Sequence, residues 1–198
     1  MHIGTQGNAL NQLNTPRGVA QDSSTGALYI ADQNNDRIMC YTSGATSGII
    51  VAGGHGCGPS STQLCSPVGL QLDLSSNSLF ISTYTTHTIV RWVLGATSGT
   101  TIAGTYATSG ISATLLYSPT GLVLDPMNNI YVADTFNHRI MLFLSGQSNG
   151  TTIAGSSSGV NGSNLSLLSS PFWISLDAQQ NLYVSDRDNQ RVLKFLRY

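Results

Sequence analysis

The sequence predicts an all-β protein of the β-propeller class, made of four blades, and three observations predict it. Pro16, Pro67, Pro119 and Pro171 recur 51, 52 and 52 residues apart. Each opens a short apolar stretch ending in Asp: Asp22, Asp73, Asp125 and Asp177. Two more strand-like stretches follow at matched offsets. A period near 50 residues made only of short strands and turns is one four-stranded blade per repeat.

The first strand of each unit spans 17–22, 68–73, 120–125 and 172–177, and is expected to be the innermost. Gly18, Gly69 and Gly121 stand two residues after the proline, where a missing Cβ lets neighbouring inner strands approach closely. The turn that follows is rich in Asp, Asn, Ser and Pro, as in Asp125-Pro126-Met127-Asn128-Asn129, all residues that cap or pre-set tight turns. The second strand spans 27–32, 78–83, 129–134 and 181–186, with Leu28 and Ile30 on one face and Tyr29 and Ala31 on the other. The third spans 37–42, 88–93, 139–144 and 191–196. The fourth is a short run at 49–54, 100–105 and 151–156, and the last unit has no counterpart of it. A loop rich in Ser, Gly and Asn leads to the next unit, and Leu13, Leu64, Leu116 and Leu168 sit three residues before each proline as expected anchors. The units are placed at about 13–63, 64–115, 116–167 and 168–198 of one domain, with 1–12 completing the last blade.

The turn between the second and third strands reads ADQNNDRI (31–38), STYTTHTI (82–89), ADTFNHRI (133–140) and SDRDNQRV (185–192). Asp32 with Arg37, Asp134 with Arg139 and Asp186 with Arg191 can pair across this turn, while Asn35, Asn137 and Asn189 take left-handed or side-chain-capped positions. The second unit departs, with Thr83, Thr86 and Thr88 at the Asp, Asn and Arg positions. These four turns resemble the NHL repeat, named for Asn-His-Leu at this place, and the resemblance covers nearly the whole chain. It implies a β-propeller, usually of six blades, acting as a protein-interaction or RNA-binding module, with a related branch of metal-dependent amidating lyases.

Charged residues are only 9% of the chain, against roughly 25% in ordinary domains, and the net charge is −1. Such a balance gives no footprint for nucleic acid. No apolar run is long enough for a membrane span. The N-terminus has neither a basic n-region nor an apolar h-region. No catalytic motif with nucleophile-elbow, zincin or P-loop spacing occurs, and no cofactor or metal site is expected. His2, His55, His87 and His138 are too scattered to converge on a metal, and Tyr84 is a general acid on paper only.

The expected function is therefore a non-catalytic module that binds a protein. An amidating-lyase-like enzyme and an RNA-binding NHL domain are the alternatives. Trp173 replaces the repeat's glycine and follows Phe172, and the pair reads either as a binding anchor or as packing. Arg17 is the one charged residue at these strand entries. Cys57 and Cys65 flank one loop, as a disulfide or as two free thiols. Asn149, Asn161 and Asn164 begin glycosylation triplets, which with a disulfide would point to an extracellular setting. Closure is open in two ways. Residues 1–4 pairing with 191–196 would complete a four-blade ring, whereas a piece of a longer propeller would expose end faces and self-associate.

Overall fold

The computed structural model describes residues 5–197, and its residues form fifteen strands in four antiparallel sheets. The first sheet contains β1 (Pro16–Gln21), β2 (Leu28–Asp32), β3 (Arg37–Tyr41) and β4 (Ile49–Gly53). The second contains β5 (Pro67–Asp73), β6 (Ser78–Thr83), β7 (Thr88–Val93) and β8 (Thr100–Gly104). The third contains β9 (Pro119–Leu124), β10 (Ile130–Asp134), β11 (Arg139–Phe143) and β12 (Gly150–Gly155). The last contains β13 (Pro171–Leu176), β14 (Leu182–Asp186) and β15 (Arg191–Phe195). Strand order within every sheet follows the chain, so each is a meander. Four blades of this kind, three with four strands and one with three, give an all-β propeller fold. Residues 1–4, to which a closing strand is assigned above, lie outside the described residues.

Helical structure among the described residues is confined to three-residue 3-10 turns at Gln33–Asn35, Thr135–Asn137 and Arg187–Asn189. Each turn ends on a left-handed residue: Asp36, His138 and Gln190, with φ of 52°, 53° and 53°. The asparagines are thus one residue short of the left-handed position and act as side-chain caps. His87 holds the matching left-handed place in the second unit, with φ of 61°.

By their internal contacts the residues divide into two compact units. One is Met1–Thr85 with Val90–Thr100, the other Thr86–Ile89 with Thr101–Tyr198. In the first unit, Tyr29, Ala31, Ile38 and Ala52 of the first sheet form one core with Leu70, Leu79, Ile81 and Trp92. In the second unit, Ala133, Ile140 and Ala154 pack with Ile174, Leu182 and Val184. Alternation along β2 decides the packing face: Tyr29 and Ala31 are buried, while Leu28 is exposed. Leu64, Leu116 and Leu168 are fully buried ahead of their prolines, whereas Leu13 is half-buried.

Backbone proximity explains the entry glycines. A Cβ on Gly18 would lie 2.5 Å from the Val68 carbonyl oxygen, and one on Gly121 would lie 2.8 Å from Trp173 Cα. Ser66, Ser118 and Ser170, each just before a proline, have φ of 45°, 50° and 49°, a sparsely populated region that surrounding bonds must hold. They do hold it. The Ser66 N–H donates to Asp36 Oδ1 at 2.8 Å, Ser118 to His87 Nδ1 at 3.1 Å and Ser170 to His138 Nδ1 at 3.0 Å.

The strand 1–2 turns are carboxylate-capped. The Ser24 hydroxyl and amide and the Thr25 hydroxyl donate to Asp22 at 2.7, 2.8 and 2.6 Å. Those donors, led by the Ser24 hydroxyl, pull the Asp22 carboxyl down from the ordinary 3.8 to about 2. The Asn181 side chain, at 2.9 Å, leads the same effect on Asp177, also to about 2.

Two expectations follow from this geometry. Gly121→Val should lower stability by about 1–3 kcal/mol or more through overpacking against backbone, read as a lower denaturation midpoint, while Gly44→Ala, in open space, should cost only its left-handed strain. Because Asp22 and Asp177 have depressed folded pKa values, their contribution is present above about pH 4 and is lost as pH falls toward 2. Denaturation midpoints measured across that window should fall with pH, and more shallowly in Asp22→Asn/Asp177→Asn.

Candidate functional site

Constant and variable positions lie side by side at the strand 2–3 turns. The constant part is a clamp, buried in the first and third repeats and half-buried at Arg191 in the fourth. Arg37 Nε donates to Asp32 Oδ2 at 2.7 Å, Arg139 Nε to Asp134 Oδ2 at 2.8 Å and Arg191 Nε to Asp186 Oδ2 at 2.7 Å. The remaining guanidinium donors reach the preceding loop. Arg139 bonds the carbonyls of Ile111, Ser112 and Leu115. Arg37 bonds those of Asn8, Ala9 and Gln12, and Arg191 those of Ser163, Asn164 and Leu167. Asn35, Asn137 and Asn189 add one carbonyl each, from Gly7, Gly110 and Gly162. The other carboxylate oxygen accepts the N–H of Asn14, Tyr117 or Ser169, each at 2.6 Å. With its polar atoms satisfied in this way, the clamp is scaffold and has nothing left to offer a ligand.

The variable part is the residue after each proline and its contact with the first residue of the 3-10 turn. Arg17 Nε donates to Gln33 Oε1 at 2.8 Å. The Thr120 and Thr135 hydroxyls are 2.7 Å apart. The Arg187 guanidinium lies 5.3 Å from the centroid of the Phe172 ring, within cation–π range. One backbone position therefore carries three unrelated chemistries.

Phe172 and Trp173 lie in the second unit and Arg17 in the first. Trp173 is 39% exposed, on β13, with its backbone N–H donating to the Ser185 hydroxyl at 2.8 Å. Nearby in the same unit, Thr135 Oγ1 bonds the Pro171 carbonyl at 2.9 Å. The next residue, Phe136, packs edge-on against Tyr117 at 5.2 Å, and Tyr117 against His87 at 5.4 Å. Tyr117 and Phe136 are 40% and 38% exposed. Arg187, Tyr117 and Phe136 were not among the residues singled out from sequence. Comparing the post-proline and turn positions across repeats would have found the first, but the aromatic contacts depend on the folding of loop onto turn.

The first unit holds a cleft of about 710 Å³, with Leu13, Leu28, Ile30 and Tyr41 on its apolar side and no charged side chain in its lining. Among the described residues no group of three or more His, Cys, Asp or Glu is placed to hold a metal. Cys57 and Cys65 are bonded, with Cα atoms 4.4 Å apart. Cys40 is free and buried, and burial raises its thiol pKa.

Residues 116–141 match the NHL repeat. With this repeat in the third of its four blades, the chain is a β-propeller consistent with NHL-type blades. No curated protein matches it. Solved structures share its fold. An auxiliary nutrient binding protein from Bacteroides thetaiotaomicron is 20% identical with a TM-score of 0.73, over 93% of this chain and 48% of that one. A chain of a nidogen/laminin complex is 20% identical with a TM-score of 0.68, over 92% and 59%. Virginiamycin B lyase from Staphylococcus aureus is 14% identical with a TM-score of 0.60, over 98% and 59%. The chain thus spans about half the length of these structures, and at such identities the likeness is one of fold. No helix among the described residues is long and apolar enough to cross a membrane.

The clamp yields a contrast in stability. Asp134→Ala leaves the Arg139 charge buried and should cost about 3–5 kcal/mol. Asp188→Ala, which breaks a pair whose side chains are 47% and 48% exposed, should cost under about 1 kcal/mol. Denaturant titration of both variants checks it.

Proposed function

We propose that this NHL-repeat propeller is a non-catalytic binding module for a protein partner in an extracellular setting. The observation that carries the reading is the Phe172–Trp173 pair with its stacked Arg187. Where the repeat has glycine at Gly18 and Gly121 for close strand packing, this blade has a tryptophan open to solvent. Trp, Tyr and Arg dominate binding energy at protein interfaces because they bury large rigid areas with few lost rotamers. The exposed Tyr117 and Phe136 extend the same chemistry in the same unit.

Charge supports protein over nucleic acid. Of eight basic side chains, Arg37, Arg139 and Arg191 are spent in clamps, and Arg187 and Lys194 pair with Asp188 and Asp177. Arg17, Arg91 and Arg197 are too few to track a phosphate backbone. The propeller fold of a nutrient binding protein and of a chain in the nidogen/laminin complex fits a binding role, although fold alone does not assign one. The disulfide and the exposed Asn149, Asn161 and Asn164 support the extracellular placement.

The test is a partner isolated by cross-linking from the source's own secretions, followed by affinity measurement. Phe172→Ala/Trp173→Ala should weaken binding by about thirtyfold or more with little change in melting temperature. Unchanged affinity would move the site elsewhere, and stoichiometric zinc with turnover would replace the binding reading by an enzymatic one.

A further inference from the structure

The second repeat breaks the clamp pattern and carries the one disulfide among the described residues at the same place. Counting back from each proline, the clamped carbonyls are at positions −9, −8, −7 and −4. In the first repeat these are Gly7, Asn8, Ala9 and Gln12, and in the third Gly110, Ile111, Ser112 and Leu115. The clamp aspartate takes the N–H at position −2, from Asn14, Tyr117 or Ser169. In the loop before Pro67 the same positions are Gly58, Pro59, Ser60, Gln63 and Cys65. The side chains that would serve them are Thr83, Thr86 and Thr88 in place of Asp, Asn and Arg. A threonine has one short hydroxyl, whereas each arginine here supplies a fork that spans three carbonyls and a carboxylate. Cys57 and Cys65 are at positions −10 and −2, so their bond closes the very interval that the clamp closes elsewhere.

We propose that the Cys57–Cys65 disulfide replaces the Asp–Asn–Arg clamp in the second repeat. The closed form of this single loop is thereby tied to oxidising surroundings, while the loops at 7–13, 110–116 and 162–168 are indifferent to redox state. The chemistry suits the exchange. A covalent bond across eight residues removes loop freedom from the open state, as the buried guanidinium does by binding both loop ends to one turn. Cys65 is 2% exposed, but Cys57 is at the surface, where a thiolate can attack. A small dithiol reduces the bond by forming a mixed disulfide at Cys57, which its second thiol resolves. That leaves two cysteine thiols and the oxidised cyclic dithiol.

Hydrogen exchange followed by mass spectrometry on the intact chain, with and without dithiothreitol, tests the proposal. Reduction should speed amide exchange in 58–65 by about tenfold or more and leave 110–116 and 162–168 unchanged. Cys57→Ser/Cys65→Ser should reproduce that pattern without reductant. Arg139→Lys should give the complementary one, loosening 110–116 in either redox state. Unchanged exchange in 58–65 after confirmed reduction would overturn the proposal, as would equal loosening of all the loops, because the bond would then be either idle or a global brace.

Discussion

A guanidinium that cannot leave its carboxylate holds three of the four repeats in shape. Each blade hairpin must be joined to a loop of irregular backbone whose carbonyls find no strand partner. The clamp arginine answers several of those carbonyls at once, and the aspartate beneath it answers the guanidinium and one loop N–H. Removing water from such a set is costly unless nearly every donor and acceptor is met. Here they are met by one turn geometry, a 3-10 step closed by a left-handed residue. The turn, the loop and the buried leucine before the proline are consequently one cooperative element. The left-handed serine that precedes Pro67, Pro119 or Pro171 is held instead by the side chain of the left-handed residue in the preceding repeat's turn.

That arrangement separates stability from recognition within a few residues. The clamp has the same bonding in the first, third and fourth repeats, buried in the first two of these and half-buried at Arg191 in the last. One strand away, the position after the proline is Arg17, Thr120 or Phe172, and each of these side chains meets the first residue of the 3-10 turn. Its exposure varies with the residue: Arg17 is exposed, Phe172 half-buried and Thr120 fully buried, so this position accepts different side chains within one blade geometry. In the second repeat, where Thr83, Thr86 and Thr88 stand at the clamp positions, the Cys57–Cys65 bond closes the corresponding loop.

Much of the architecture was legible in the chain because it is periodic. Proline spacing, the Asp-ended strands and the alternation in Leu28–Asp32 are local signals repeated four times, and repetition suppresses accidental matches. The Asp–Arg pairs were legible for a similar reason, being five residues apart across a turn. The destination of the remaining arginine donors was not, because Asn8 and Arg37 are 29 residues apart and no local pattern links a side chain to a distant carbonyl. Nor was the exact left-handed residue, since Asn35 and Asp36 both suit that conformation and only the 3-10 hydrogen bond from Asp36 to Gln33 decides between them.

By itself the sequence determined the repeat, its strand content, the poverty of charge and the places where the pattern fails, at Thr83, Thr86, Thr88 and Trp173. Those properties depend on composition and short-range order. Tertiary structure alone decided that the His87 and His138 rings accept the backbone N–H groups of Ser118 and Ser170, that Trp173 faces solvent, that Arg187 lies over Phe172 and that two cysteines close the loop before Pro67. The physical reason is that burial and hydrogen-bond partnership are set by which segments meet, and these segments meet only once the loops have been drawn onto the blades.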